Sequence, residues 1–304
     1  MKMLVIGDNC FDVVLKGKYS MRSDKNNIIE QYSMRPAGTG INFALAFSKI
    51  NGNPYYFTPI SKDHFGDFFI ELFNENKILF LKKRSNRPTA LIFALVGDSE
   101  KRVTFALISK CAYTDISSAE FLTISDKYRY LYISSGINTE KKVQIEVVKI
   151  VEMAKKKGIK IFFDPQFRIG RSVKGFLETN IAIFKSADIV FANEQEIKDF
   201  PLSIVKNKVT ANGIVVIKKG SKGVEAYTKH KKYSIDGIPV NSLDGIGAGD
   251  VFNAVFLKTY LKGEDVYESL SFANYAAALS TTHVGVYAPT LKEISKFQIN
   301  FSKK

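Results

Sequence analysis

From residue 130 onward, short runs that are apolar at nearly every position recur: Tyr130-Leu131-Tyr132-Ile133, Ile161-Phe162-Phe163, Ile189-Val190-Phe191-Ala192 and Ile214-Val215-Val216-Ile217. Such runs belong to strands buried on both faces rather than to strands with one wet face. Between the first two, Val143, Val147, Ile150, Val151 and Ala154 form one stripe at helical spacing, which predicts a helix over 139–157. Repetition of strand, helix, strand leaves few architectures open: a parallel sheet with right-handed crossovers and helices on both faces. Leu4-Val5-Ile6-Gly7 is a further run of the same kind. The expected fold class is therefore α/β, a doubly wound and mainly parallel sheet flanked by helices. Ligands in such folds gather beyond the carboxyl ends of the strands.

Two β-rich stretches depart from this rhythm. Residues 13–35 are Lys/Asn-rich and carry only short apolar runs, Val13-Val14-Leu15 and Ile28-Ile29. Residues 88–110 read as a hairpin: Thr89 to Val96, a turn at Gly97-Asp98, then Arg102 to Ile108. Together they suggest a small sheet set apart from the main one, within a single domain spanning 1–304. A plain hairpin packed on the core is the simpler alternative.

The chain has 304 residues, 45% of them hydrophobic and 24% charged, the composition of an ordinary globular protein. No stretch is long and apolar enough for a membrane span, and Asp8 ends the first apolar run too soon for a signal peptide. Two cysteines, Cys10 and Cys111, exclude a disulfide framework, and no Cys/His spacing fits zinc, so a cytoplasmic setting is expected. The net charge of +14 could serve nucleic acid, but the lysines are scattered apart from short clusters at 155–157 and 229–232. An anionic small molecule such as ATP accounts for the charge without nucleic acid.

Residues 240–250 carry the chemistry. Three glycines fall within five positions, Gly245-Ile246-Gly247-Ala248-Gly249, and lead through Asp250 into a run with helical apolar spacing (Val251, Phe252, Val255, Phe256, Tyr260). A glycine-rich turn at a helix start presents backbone N–H groups that have no intrahelical acceptor. With the positive end of the helix dipole they suit an anion, including a phosphoryl group in transfer. Asp250 falls in the first helical turn, where a carboxylate could accept a proton from a hydroxyl held against the same anion site. By its residues alone the position fits a plain dipole partner equally well. No Lys-Ser/Thr follows the last glycine, so this is not the Walker pattern.

Asp244-Gly245-Ile246-Gly247-Ala248-Gly249-Asp250 resembles the second signature of the PfkB/ribokinase family of carbohydrate kinases, Asp-Thr-x-Gly-Ala-Gly-Asp, with Gly245 where Thr is usual. That resemblance implies that the Gly247, Ala248 and Gly249 amides stabilise phosphoryl charge and that Asp250 is the catalytic base. Pro36-Ala37-Gly38-Thr39-Gly40-Ile41-Asn42 is similar to the first signature, with Ala37 replacing a glycine, and implies sugar contacts from Gly38 and Asn42. Gly7-Asp8-Asn9-Cys10-Phe11-Asp12 is similar to the fructosamine kinases of the family and implies that Asp12, helped by Asn9, holds sugar hydroxyls. Asp164-Pro165-Gln166-Phe167-Arg168 resembles the Asp-x-Asn-x-Arg of fructokinases and 2-keto-3-deoxygluconate kinases, which implies Arg168 on the ATP phosphates.

Asn193 and Glu196 fit the family's Asn-x-x-Glu motif, linked to phosphate and Mg²⁺; a local capping box fits the same residues. Lys218, Gly220 and Gly223 match the turn beneath the nucleotide, Asn274 the helix beside adenine, and Gly285 the closing turn, where Val286 stands for the usual Ala. Some members bind a monovalent cation such as K⁺ between that turn and the first Asp of the signature. Lys110 is a candidate partner for a substrate carboxylate, or a solvated lysine. The resemblance runs from residue 4 to about 290. It implies an ATP- and Mg²⁺-dependent kinase of a ketose, fructosamine or keto-sugar acid, with a β lid over the sugar that also serves a homodimer. A nucleoside kinase and a non-catalytic sugar- or nucleotide-binding protein are the alternatives; intact Asp250 argues against the latter, and the departures at Ala37, Gln166 and Gly245 keep it open.

Overall fold

The computed structural model describes residues 1–17, 28–96, 102–166 and 174–302. Its early strands are β1 (Lys2–Ile6), β2 (Cys10–Lys16), β3 (Gln31–Ala37), β4 (Asn53–Tyr56), β5 (Ile60–Ser61), β6 (Leu79–Phe80) and β7 (Arg84–Ser85). They are followed by β8 (Ala90–Val96), β9 (Arg102–Leu107), β10 (Tyr130–Ser134), β11 (Lys160–Asp164), β12 (Ile189–Asn193), β13 (Ile214–Lys218), β14 (Val224–Tyr227) and β15 (Lys232–Ile235). The helices are α1 (Thr39–Lys49), α2 (His64–Glu75), α3 (Ser118–Ile124), α4 (Lys141–Lys156), α5 (Phe176–Ser186), α6 (Leu202–Thr210), α7 (Ala248–Tyr260), α8 (Val266–Thr281) and α9 (Leu291–Ser302).

Among the described residues, nine strands form one sheet in the order β15-β14-β13-β12-β11-β10-β1-β4-β6. Pairing is parallel from β13 to β6, and β14 and β15 add an antiparallel edge. The period of two along each strand splits its side chains between two cores. Met3, Val5, Tyr132, Phe162, Phe191 and Val216 face the layer that contains α1, α7 and α8. Leu4, Ile6, Ile133, Phe163, Val190 and Val215 face the layer of α4 and α5. Both faces are thus covered, which is why these strands read as unbroken apolar runs. The helix expected over 139–157 begins at Lys141, because Asn138 and Thr139 turn back onto Ser135 and Ile137 by backbone hydrogen bonds of 2.9 and 2.7 Å.

The small sheet has the order β3-β2-β8-β9. β8 and β9 do pair antiparallel, but β8 also pairs parallel with β2, so the hairpin belongs to this second sheet, from which Ala90 and Ile92 join the core. The tip around Gly97-Asp98 lies outside the described residues. β2 leaves β1 through only three residues, Gly7 to Asn9, so the small sheet is anchored at the carboxyl end of β1, an interior strand of the main sheet. No described helix is long and apolar enough to cross a membrane.

Candidate active site

The carboxyl ends of β1, β10, β11, β12 and β13 share one edge of the sheet, and a cavity of about 1240 Å³ opens there under the small sheet. It is lined on one side by Asp8, Cys10, Asp12, Gly38, Thr39 and Asn42, and on the other by Asn193, Glu196, Lys218, Gly220, Gly223 and Asn274. The turn Gly245 to Asp250 lies along the same wall. Residues spread over most of the chain thus meet in one chamber.

The turn is built by glycine where the backbone demands it. Gly247 is left-handed (φ 78°) and caps α7; a Cβ there would meet Val286 Cγ1 at 2.8 Å. Gly38 (φ 113°) plays the corresponding part before α1, where a Cβ would stand 2.3 Å from the Asp8 carbonyl oxygen. Both helices therefore start at the cavity, which Gly38 and Thr39 line from one and Gly247, Ala248 and Gly249 from the other. Ala248 N–H reaches only a long 3.4 Å contact to Gly245 O, a bond that a phosphoryl oxygen would readily replace.

The first turns of α1 and α7 meet side chain to side chain. Asn42 Nδ2 donates to Asp250 Oδ2 at 2.9 Å, and both residues are buried. Burial pushes the Asp250 carboxyl well above the usual carboxylate range, the Asp164 charge adds to this, and the Asn42 hydrogen bond and Lys218 pull the other way. Asn42, read from sequence as a sugar contact, thus also orients the carboxylate.

Beneath the turn lies a buried ionic network. Lys218 Nζ is 3.3 Å from Asp164 Oδ2 and 3.3 Å from Asn253 Oδ1. Asn253 Nδ2 donates to Asp164 Oδ2 at 2.6 Å and to the Tyr132 hydroxyl at 3.0 Å. Burial works against the Lys218 ammonium, yet Asp164, Glu196 and Asp250 together hold it above lysine's ordinary value. A Cβ on Gly249 would lie 3.4 Å from Lys218 Nζ, so this cation stands directly against the glycine turn.

Asn193 and Glu196 make the reciprocal cap: Glu196 Oε2 accepts the Asn193 N–H at 2.8 Å, and Asn193 Oδ1 accepts the Glu196 N–H at 2.8 Å. Both still line the cavity. Asn274 donates to the Asp236 carbonyl at 2.9 Å and lines it from α8.

Three residues expected at the site are not on its lining. Asn9 is buried with its Nδ2 donating to Pro59 O at 3.1 Å, away from the cavity. Lys110 is exposed, in a left-handed conformation (φ 54°), and its backbone N–H goes to the Glu140 carboxylate. Gly285 (φ 79°) is one step removed, donating its N–H to Asp244 Oδ2 at 3.0 Å. Arg168 lies outside the described residues.

Other residues enter to which the sequence motifs assign no role. Asp8 takes the Thr39 hydroxyl at 3.0 Å; burial raises its carboxyl, against the hydrogen bonds from Thr39 and from the Thr39 and Gly40 amides. Asp164 has a legible signal, an acid closing a buried strand, and Asn253 falls in the helical turn after Asp250. Arg35 has no signal of its own.

Fold and site define a class: an α/β phosphotransferase with a glycine-capped helix start and a buried carboxylate in that helix's first turn. The family model for pfkB family carbohydrate kinases matches residues 1–293. The chain belongs to that family, phosphotransferases that use ATP and an alcohol acceptor. It is 27% identical over 319 aligned positions to 5-dehydro-2-deoxygluconokinase of Mesomycoplasma hyopneumoniae (strain 7448), covering 96% of this chain and 94% of that one. It is 25% identical to probable fructokinase-5 of Arabidopsis thaliana, over 88% and 89% of the two chains. Among solved structures, ribokinase from Thermotoga maritima superposes with a TM-score of 0.80 at 24% identity, over 98% of this chain and 99% of that one. Fructokinase with bound ATP from Xylella fastidiosa gives 0.85 at 19% identity over 99% of each chain. These superpositions show the ribokinase-like fold.

Proposed function

We propose that the cavity holds a sugar at its Asp12 end and ATP along Lys218, Gly220, Gly223 and Asn274, with phosphoryl transfer at the glycine turn between them. The observation that carries this reading is the placement of Asp250: a buried carboxylate in the first turn of the helix whose leading residues, Gly247, Ala248 and Gly249, line the same cavity. Asp250 takes the proton of the attacking hydroxyl while Asn42 holds the carboxylate in position. The amides and the Lys218 ammonium stabilise the charge that develops on the transferred group. Asp12, Gly38 and Asn42 form the sugar end, and closure of the small sheet over it excludes water.

Mg²⁺ belongs with this reading, and the donors fit it. Among the described residues no group of three metal-ligating side chains converges, but Mg²⁺ needs only one or two carboxylates besides phosphate and water oxygens. Glu196 lines the cavity with a carboxylate already oriented by Asn193. Bound there, the ion would neutralise phosphate charge. A monovalent cation such as K⁺, bound beside Asp244 and the Gly285 turn, would compete there with the Arg35 guanidinium, whose Nη1 lies 3.6 Å from Asp244 Oδ2.

For the acceptor we take a ketose, a fructosamine or a keto-sugar acid. The test is ADP release from Mg-ATP with fructose, fructoselysine, 5-dehydro-2-deoxygluconate, ribose and adenosine. Turnover on one of the first three supports the reading; turnover on adenosine alone makes the protein a nucleoside kinase, and ATP binding without turnover on any member makes it a binding protein.

We further propose a homodimer through the small sheet, in the cytoplasm, where the free and buried thiols of Cys10 and Cys111 stay reduced. Registers that align Tyr32 with Leu15, Met34 with Val13, Val13 with Phe93 and Phe93 with Phe105 make the outer face of this sheet continuously apolar. Tyr32, Met34, Phe105 and Leu107 are 74, 47, 49 and 50% exposed on it. An apolar face of this extent suits a second copy of the chain. Phe105→Asp is expected to convert a dimer to a monomer in sedimentation equilibrium; a wild-type protein that is monomeric at all concentrations removes the proposal.

A further inference from the structure

Arg35 extends from β3 of the small sheet and reaches two carboxylates on different parts of the site. Its Nε lies 3.9 Å from Asp12 Oδ2, on the neighbouring strand, and its Nη1 lies 3.6 Å from Asp244 Oδ2, at the start of the glycine turn. Asp244 is itself an organiser of backbone. Its Oδ1 accepts the Ile246 N–H at 2.9 Å, immediately before Gly247, and its Oδ2 accepts the Gly285 N–H at 3.0 Å. The guanidinium thus joins the strand that carries the sugar-end carboxylate to the loop that shapes the anion site.

Arg35 has the properties of a tie rather than of a surface cation. Its side chain is only 25% exposed, and its Nε is buried with no hydrogen-bond partner. A planar guanidinium carries donors along two edges, so it can serve two carboxylates at once, which a lysine ammonium on a flexible stem does less well. Its separations from both carboxylates are longer than a direct hydrogen bond. Movement of the small sheet toward the body would shorten the separation from Asp244, while Asp12, the register partner of Arg35 on the same sheet, would move with it.

We propose that Arg35 is a positioning residue that couples closure of the small sheet over the sugar to the geometry of the glycine turn. A sugar held at Asp12 draws β2 and β3 inward. Arg35 carries that displacement to Asp244, and Asp244 sets the Ile246 and Gly285 amides that fix the approach to Gly247. The proposal rests on the roles given above to Asp12 and Asp250. Arg35 itself touches neither the transferred phosphoryl group nor the attacking hydroxyl, so its removal should act on turnover through placement.

The test is steady-state kinetics of Arg35→Met with the best acceptor of the panel, beside a titration of ATP binding without sugar. The expected result is a fall in kcat/KM of about 10²-fold, as a misplacement on the order of 1 Å produces, carried mostly by kcat, with ATP affinity unchanged. Asp244→Asn should produce the same phenotype. The double variant should be no worse than either single one, because both remove one tie. Arg35→Lys, which keeps the charge and most of the stem, should retain KM while recovering only part of kcat; it carries the test if the methionine variant melts early. A rise in KM with kcat intact would overturn the coupling, since Arg35 would then only add to sugar binding. Additive losses in the double variant, or wild-type kinetics in Arg35→Met, would overturn it too. Failure of the underlying reading has a separate signature: Asp12→Asn with an unchanged KM, or Asp250→Asn with substantial turnover.

Discussion

Asp250→Asn should lower kcat by about 10⁴-fold, the upper end of what a positioned base contributes, while leaving ATP and sugar binding near wild type. The argument is structural as well as chemical. Asparagine keeps the shape of the side chain and its contact with Asn42, so the turn and the first helical residues stay in place. What is lost is the only function that needs a proton acceptor. The wild-type rate should also report the base through pH. Burial and the Asp164 charge raise the Asp250 carboxyl, so the acid limb of kcat/KM should have its midpoint above the ordinary carboxylate range and the rate should rise with pH through it. Stability runs in the opposite sense. A carboxyl whose value is raised on folding favours the folded state most when protonated, and that contribution is lost as pH rises through the folded value. The asparagine variant, neutral throughout, should therefore gain in melting temperature relative to wild type as pH rises. An Asn variant with a substantial rate would remove Asp250 as the base.

The glycine turn is legible in the amino-acid sequence because its chemistry is local. Consecutive residues make the cap, the amides and the first-turn carboxylate, and a period of 3.6 follows at once in Val251, Phe252, Val255 and Phe256. The same holds for the parallel sheet, whose strands show unbroken apolar runs because both faces are covered. Side-chain direction is harder to read. Asn9 and Asp12 are near neighbours, yet Asn9 turns to Pro59 O and Asp12 lines the cavity, a difference set by where β2 begins. Lys110 shows the same limit from another side. It follows the small sheet in sequence, but its left-handed backbone and the Glu140 contact leave it outside the cavity. The least legible residues are those whose meaning is a distant partner. Arg35 stands just ahead of the first-signature stretch and outside it, and only the folded chain brings it to Asp244. Asp164 and Lys218 each close a strand, but their pairing depends on β11 and β13 flanking β12 in one parallel sheet.

That pairing carries the other large effect. Lys218→Met should cost both stability and catalysis, and a second substitution should separate the two. Asp164 is fully buried, and in the methionine variant its charge would keep Asn253 and Tyr132 as partners but lose its cation. Removing one member of a buried ion pair costs about 3–5 kcal/mol, which for a chain of this size lowers the melting temperature by roughly 5–8 °C. Asp164→Asn introduced with Lys218→Met removes the stranded charge, so most of the melting temperature should return. Activity should not return with it. The ammonium stands against Gly249, and the loss of one such charge from a preorganised anion site costs about 10²–10³-fold in kcat. A double variant that is stable but still slow assigns Lys218 to the reaction. A double variant that recovers turnover along with its melting temperature would make the Lys218–Asp164 pair a device of folding alone, and the developing charge would then rest on the amides of Gly247, Ala248 and Gly249.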